Sequence, residues 1–198
     1  MLTMKSTRNW AATALLLILT ALPACGFNDV IDADEGVKAA WAEVENQYKR
    51  RADLVPNLVS TVKGAANFEQ ETLTKVVEAR SKVAGVKIDS STVDSPEKLR
   101  QFEAAQGQLS GALARLMVVV EKYPELKATA SFQELQAQLE GTENRITVAR
   151  KRFIDGVRDY NQVVLRFPSL IGAKLRGKEV RPTFTAPAEA QTPPDVKF

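Results

Sequence analysis

The chain has 198 residues, 44% of them hydrophobic and only 7% aromatic, which suits one domain of helices packed by aliphatic side chains better than a β-sandwich. It contains no histidine and a single cysteine, Cys25, so the commonest general base and metal ligand is missing and no internal disulfide can form. The formal charge of +3 falls to +1 if residues 1–24 are removed, because Lys5 and Arg8 leave the 27 basic residues and no acid leaves the 24; that balance argues against nucleic acid as a partner.

The first segment reads as an export signal. Lys5 and Arg8 precede an apolar run over 10–22, which is short for a bilayer span of about 20 residues. Leu22-Pro23-Ala24-Cys25-Gly26 resembles a bacterial lipoprotein signal, although Pro23 departs from the usual small or β-branched residue. That resemblance implies acylation of Cys25, cleavage before it and, in a Gram-negative cell, sorting to the outer membrane, since Gly26 rather than Asp follows. A signal of the ordinary kind, or a short uncleaved anchor with an incidental cysteine, is the alternative. Residues 25–36, with Asp29, Asp32, Asp34 and Glu35, are expected to form a solvated tether.

Four helices are predicted after the tether. The first covers 35–63, with Val37, Trp41, Val44, Tyr48, Arg51, Val55, Leu58 and Val62 spaced by threes and fours. Arg51 breaks this apolar seam; it either snorkels to solvent or pairs with a carboxylate of another helix. Pro56 lies inside the helix and frees the carbonyl of Ala52. The second, shorter helix covers 68–84, after a capping-box spacing of Asn67 and Gln70, and stops at Gly85. A loop over 86–94 leads to Ser95-Pro96-Glu97, a helix-start signal. The third helix covers 96–123, with Gln106 as the polar residue of its seam.

The fourth helix is the longest. Leu139, Ile146, Phe153, Tyr160 and Phe167 recur every seven residues, and the row Leu135, Thr142, Ala149, Gly156, Val163 interleaves with them. The second row is mostly small, so a partner backbone can approach it; Gly156, which costs about 1 kcal/mol against Ala in a helix, is the clearest sign. A capping box over Ser131-Phe132-Gln133-Glu134 starts this helix, and Phe167-Pro168 ends it. Residues 169–198 hold four of the nine prolines and read as a flexible tail, with some order at 170–175. The fold expected is all-α: an antiparallel up-and-down four-helix bundle over 37–168, thin at one end because its second helix is short. An apolar groove or protruding helix tips at the thin end would serve a partner or self-association.

Several blocks, in order, carry a family resemblance. Trp41…Lys49-Arg50-Arg51-Ala52-Asp53-Leu54-Val55-Pro56-Asn57-Leu58-Val59 resembles the signature of the LemA family. So do Glu71-Thr72-Leu73…Val76…Glu78-Ala79-Arg80, Tyr123-Pro124-Glu125-Leu126-Lys127, Thr142-Glu143-Asn144-Arg145-Ile146…Ala149-Arg150, Tyr160-Asn161 and Phe167-Pro168. The resemblance spans 37–184 and implies a membrane-attached helical bundle outside the cytoplasm; it implies no reaction and no cofactor.

Candidate site residues follow from these motifs. Arg51, Asn57, Glu78, Glu143, Asn144, Arg150 and Asn161 are expected to form an interhelical polar set, or else to be ordinary surface residues. An envelope enzyme would need paired carboxylates, for which Glu69 with Glu71 and Glu140 with Glu143 are the candidates, a spacing that occurs often by chance. A metal carrier lacks the His of Glu-x-x-His pairs. The reading favoured is a non-catalytic scaffold or adaptor held to the membrane through lipidated Cys25, with an envelope protein or a second copy as partner.

Overall fold

The computed structural model describes residues 24–65, 68–87 and 89–184, with side chains from 28 onward. Among these residues it is all-helical: α1 (Ala24–Lys63), α2 (Gln70–Gly85), a 3-10 turn (Ser90–Asp94), α3 (Pro96–Val120), α4 (Pro124–Lys127), α5 (Ala130–Leu165) and α6 (Ser169–Leu175). The export-signal segment and Asn67 lie outside the described residues, and Cys25 is placed on α1 by its backbone only.

α1 is longer than its seam suggested. It takes up the expected tether and runs for 40 residues, about 60 Å. The reason is burial: Val30 and Asp34 are both enclosed, so the first turns have packing that an acidic tether would lack. Local signals set most other ends. Ser95 Oγ accepts from Lys98 N at 3.3 Å with Pro96 in the first turn of α3. α5 starts one residue before the expected box, because Thr129 Oγ1 accepts from Phe132 N at 3.4 Å. The expected loop at 86–94 contains the 3-10 turn, capped by Asp89 Oδ1 accepting from Ser91 N at 2.8 Å and carrying buried Thr92 and Val93. The third helix stops at Val120, and Pro124 opens the separate turn of α4.

Helix directions follow from side-chain pairs. Gly156 faces Val37, Phe153 meets Trp41, Arg150 meets Tyr48 and Glu143 meets Arg51, so α5 runs antiparallel to α1. Phe102 touches Trp41 and Tyr48 while Gln106 and Ser110 reach Arg51, so α3 runs parallel to α1. Arg80 reaches back to Ala52, and Lys82 bonds Gln108, which sets α2 antiparallel to both α1 and α3.

The core is divided in two. One cluster joins Val30, Val37, Trp41, Val44 and Tyr48 to Leu99, Phe102 and the residues of α5 from Ile146 to Val164. The other joins Val55, Leu58 and Val62 to α2, to α3 from Ala105 onward, and to Phe132 and Leu139. Arg51 and Thr142, both buried, lie in sequence between the two sets on α1 and α5, and buried Gln106 sits at their border on α3, next to Ala105. The half of α1 and α5 that α2 does not reach is covered: α6 packs on both helices, and Phe184 stands 5.1 Å from Phe153 and 6.2 Å from Trp41. Residues 169–184, expected within a flexible tail, are therefore part of the fold; the apolar surface left by the short second helix gives them something to bury against.

Candidate functional site

The polar layer is built around Arg51, which the first seam carries inward between Tyr48 and Val55. Its guanidinium is 1% exposed. Nη1 donates to Ser110 Oγ and to Glu143 Oε1, each at 2.7 Å; Nη2 donates to Gln106 Oε1 at 2.6 Å and to the Gln106 carbonyl at 3.2 Å. Three helices are joined at one side chain. The Tyr48 ring lies 5.0 Å from the guanidinium carbon. Glu143 is 48% exposed, so the pair is buried on the cation's side and hydrated on the anion's. An arginine needs this fork geometry to serve several acceptors; a lysine ammonium would not span them.

Arg150 makes a second bridge. Nη2 meets Glu103 Oε1 at 3.2 Å, Nη1 donates to the Tyr48 hydroxyl at 3.1 Å, and the guanidinium carbon lies 3.9 Å from the Phe184 ring centroid. Asn161 plays a different part. Its side chain grips the Arg181 backbone, accepting from Arg181 N at 2.8 Å and donating to Arg181 O at 3.0 Å. It thus fixes the segment after α6 rather than a neighbouring helix. Asn57, Glu78 and Asn144 are not in the polar set: all three are exposed, one or two positions off the inward residues Val55, Leu58, Val76, Ala79, Thr142 and Ile146.

A third cluster was not expected from the sequence. Arg181 is buried with Asp34; its Nη2 lies 2.7 Å from Asp34 Oδ1, and Nε donates to Asp94 Oδ1 at 2.6 Å. Lys178 and Lys38 reach Asp34 Oδ2 at 3.1 and 3.0 Å, and the Tyr160 ring sits 4.5 Å under the Arg181 guanidinium. Burial works to raise the Asp34 pKa, but hydrogen bonds from Lys38 and Lys178 and the Arg181 charge outweigh it and hold the carboxyl below its ordinary value. Burial pushes the Tyr160 hydroxyl up. Asp34, three residues before the first seam residue Val37, and the Arg before Pro182 are weak local signals, and the partners lie far apart in the chain.

Pro56 has a partner too. The Ala52 carbonyl it frees accepts from Arg80 Nε at 3.0 Å, so α2 supplies the missing donor. Ala52 and Arg80 border a groove of about 500 Å³ that also holds Glu45, Lys49 and Val86. Burial pushes the Glu45 carboxyl above its ordinary value; the hydrogen bond from Trp41 Nε1, at 2.7 Å, opposes this and nearby Asp89 adds to it.

A second groove, about 630 Å³, runs between α3 and α5 and is lined by Leu113, Met117, Leu139, Glu140 and Glu143. Each of the carboxylates considered for acid–base chemistry is engaged by another side chain. Glu69 accepts from Thr72, Glu71 is ion-paired with Lys75, Glu140 accepts from Gln136 and Glu143 holds Arg51. Lys75 keeps the Glu71 carboxyl below its ordinary value. Among the described residues no three Asp, Glu, Cys or His side chains converge as a metal site would need, and no helix is long and apolar enough to cross a membrane.

Comparison with known proteins agrees with the motif blocks. The model of the LemA family matches residues 40–198. Protein LemA of Metamycoplasma hominis is 26% identical over 145 residues, covering 73% of this chain and 58% of the relative. Magnetosome protein MamQ of Magnetospirillum gryphiswaldense is 22% identical over 158 residues, covering 72% of this chain and 58% of the relative. The chain thus spans somewhat over half the length of these curated relatives.

Proposed function

The chain belongs to the LemA family, and on that premise we propose that it is a non-catalytic scaffold or adaptor of the bacterial cell envelope, anchored to a membrane by acylated Cys25. In this reading the four long elements are an up-and-down four-helix bundle, and α6 with residues 176–184 is its strap. The observation that carries the proposal is where the buried charge goes. Buried Arg51 and Arg181 and the part-buried Arg150 each tie separate elements together, and none of the three lines either groove described above. Polar groups used this way fix helix register instead of serving a reaction. The anchor has support from order along the chain: the apolar run at 10–22 and Cys25 stand directly before or at the head of a 40-residue helix. Two or three acyl chains, at about 0.8 kcal/mol per buried methylene, give lasting attachment.

The test is acyl labelling and crosslinking in intact cells, comparing wild type with Cys25→Ala. Incorporation of labelled palmitate in the wild type only, with a defined protein captured only by the labelled form, is the expected result. An unlabelled protein that stays in the membrane fraction would replace acylation by an uncleaved anchor at 10–22. A labelled protein that captures no partner and sediments as a monomer would remove the adaptor role.

A further inference from the structure

We propose that α6 and the turn before it form a bilayer-contact surface, whose ligand is the headgroup layer of anionic lipid. The inference rests on the anchored reading above. It begins with apolar side chains that the fold leaves in water: Leu165, Phe167, Ile171 and Leu175, of which Phe167 is 65% and Leu175 77% exposed. Ile171 and Leu175 are one helical turn apart, and Phe167 precedes Ile171 by the same interval. The opposite side of α6, Ser169, Gly172 and Ala173, is buried against α1 and α5. So the helix is held by its small residues with Leu170 half-buried, and turns Ile171 and Leu175 outward.

Charge on the same segment has one sign. From residue 160 to residue 178 there is no acid, and there are four bases: Arg166, Lys174, Arg176 and Lys178. Lys178 is engaged by Asp34, while Arg166 and Lys174 stand exposed beside the apolar stripe. Large apolar residues flanked by Arg and Lys match the boundary between acyl chains and phosphates. Exposed acids occur at this end too: Asp29, Asp32 and Glu35 on α1, with Asp94, Asp159 and Glu179 outside the 160–178 run, so an anionic surface would repel those flanks and favour contact through α6.

Position supplies the third argument. Val30 shares one core cluster with Val164 and Ala173, which puts α6 level with the first turns of α1. Six residues of helix separate Ala24 from Val30, about 9 Å. A bilayer that holds the acyl chains of Cys25, the second residue of α1, therefore lies within reach of the α6 stripe. A short stripe binds weakly by itself; joined to an anchor it acts at high local concentration and sets the tilt of the domain.

The experiment uses the full chain reconstituted in vesicles of phosphatidylethanolamine and phosphatidylglycerol, with p-benzoylphenylalanine replacing Ile171 or, as control, Val118, an exposed residue near the far end of α3. Vesicle flotation tests the anchor. Photolysis is expected to give lipid adducts at position 171 at least fivefold above position 118, and Arg166→Gln with Lys174→Gln should cut that yield severalfold. Chains that float but give equal adducts at both positions would overturn this inference and leave the anchor standing. Adducts joining two copies through position 171, without lipid, would overturn it in favour of self-association. Chains that do not float would remove the anchor and this surface together.

Discussion

At the scale of the residue, Arg51 decides more than any other side chain. Removing it strands Gln106, which is 3% exposed, whereas Glu143→Gln leaves a half-exposed amide whose oxygen still accepts from Arg51. Arg51→Met should therefore cost about 2–4 kcal/mol and Glu143→Gln only about 1 kcal/mol in urea unfolding. Equal losses, or none at Glu143, would mean that the layer is not held as described. Two carboxyls give opposite pH slopes. Asp34 has a folded pKa below its unfolded one, so its contribution is present above about pH 4 and disappears as pH falls through the folded value. Asp34→Asn should flatten the acid limb of the stability curve. Glu45 has its pKa raised by burial, so its charge destabilises the fold above that pKa; the penalty is lost as pH falls. Glu45→Gln should raise the unfolding midpoint at pH 7 and lose that advantage toward pH 4, a difference that thermal melts at the two values would read.

Elements are joined by two devices, a carbonyl exchange and a strap. Pro56 takes a donor out of α1, and Arg80 of α2 returns one to Ala52. Arg80→Ala should cost about 1 kcal/mol in the parent and clearly less when Pro56→Ala restores the N–H, which a double-mutant cycle would measure. The strap depends on Phe184, packed between Trp41, Phe153 and Arg150, and on Asn161. Phe184→Ala should cost about 2–4 kcal/mol and expose the segment after α6 to limited proteolysis. Gly156 corrects a simple expectation. A Cβ there would meet Val37 Cα at 3.9 Å and the Ala40 Cβ at 4.0 Å, ordinary contact distances. The approach is close but leaves room for one methyl, so Gly156→Ala should stabilise by up to about 1 kcal/mol, as chemical denaturation would show.

For the whole molecule, two apolar cores with a polar layer between them mean that helix register is pinned where the cores meet, and the Arg150 bridge adds a second level. A one-turn slip of α5 against α1 would keep apolar contacts in both cores yet move Glu143 about 5.4 Å along the axis, out of reach of Arg51. Hydrophobic packing alone tolerates such slips; buried charge does not. The same molecule is polarised end to end: the α2 end is closed by helix hairpins, and the opposite end combines the head of α1, the strap and the outward residues of α6. Both features suit the membrane-held adaptor proposed above.

The sequence by itself determined the helices and their inward faces, because period and capping are local properties of the chain. It also marked Arg51, which interrupts an apolar seam, Gln106 as the polar residue of the third seam, and Pro56 with its freed carbonyl. The family blocks were legible for the same reason. What only the tertiary structure decided is who answers those interruptions: Gln106, Ser110 and Glu143 for Arg51, and Arg80 for Ala52. Asn57, Glu78 and Asn144 share motifs with these residues but stand a position or two off the seam, and only three-dimensional packing separates the two groups. The tether and the tail read as solvated because charge and proline suppress any hydrophobic period. Their order comes from each other and from the core: Asp34 is buried because Arg181 reaches it, and Arg181 is held because Asn161 and Phe184 fix the backbone on either side. Pairings of that kind leave no local pattern, since each residue is costly alone and stable only in the other's presence.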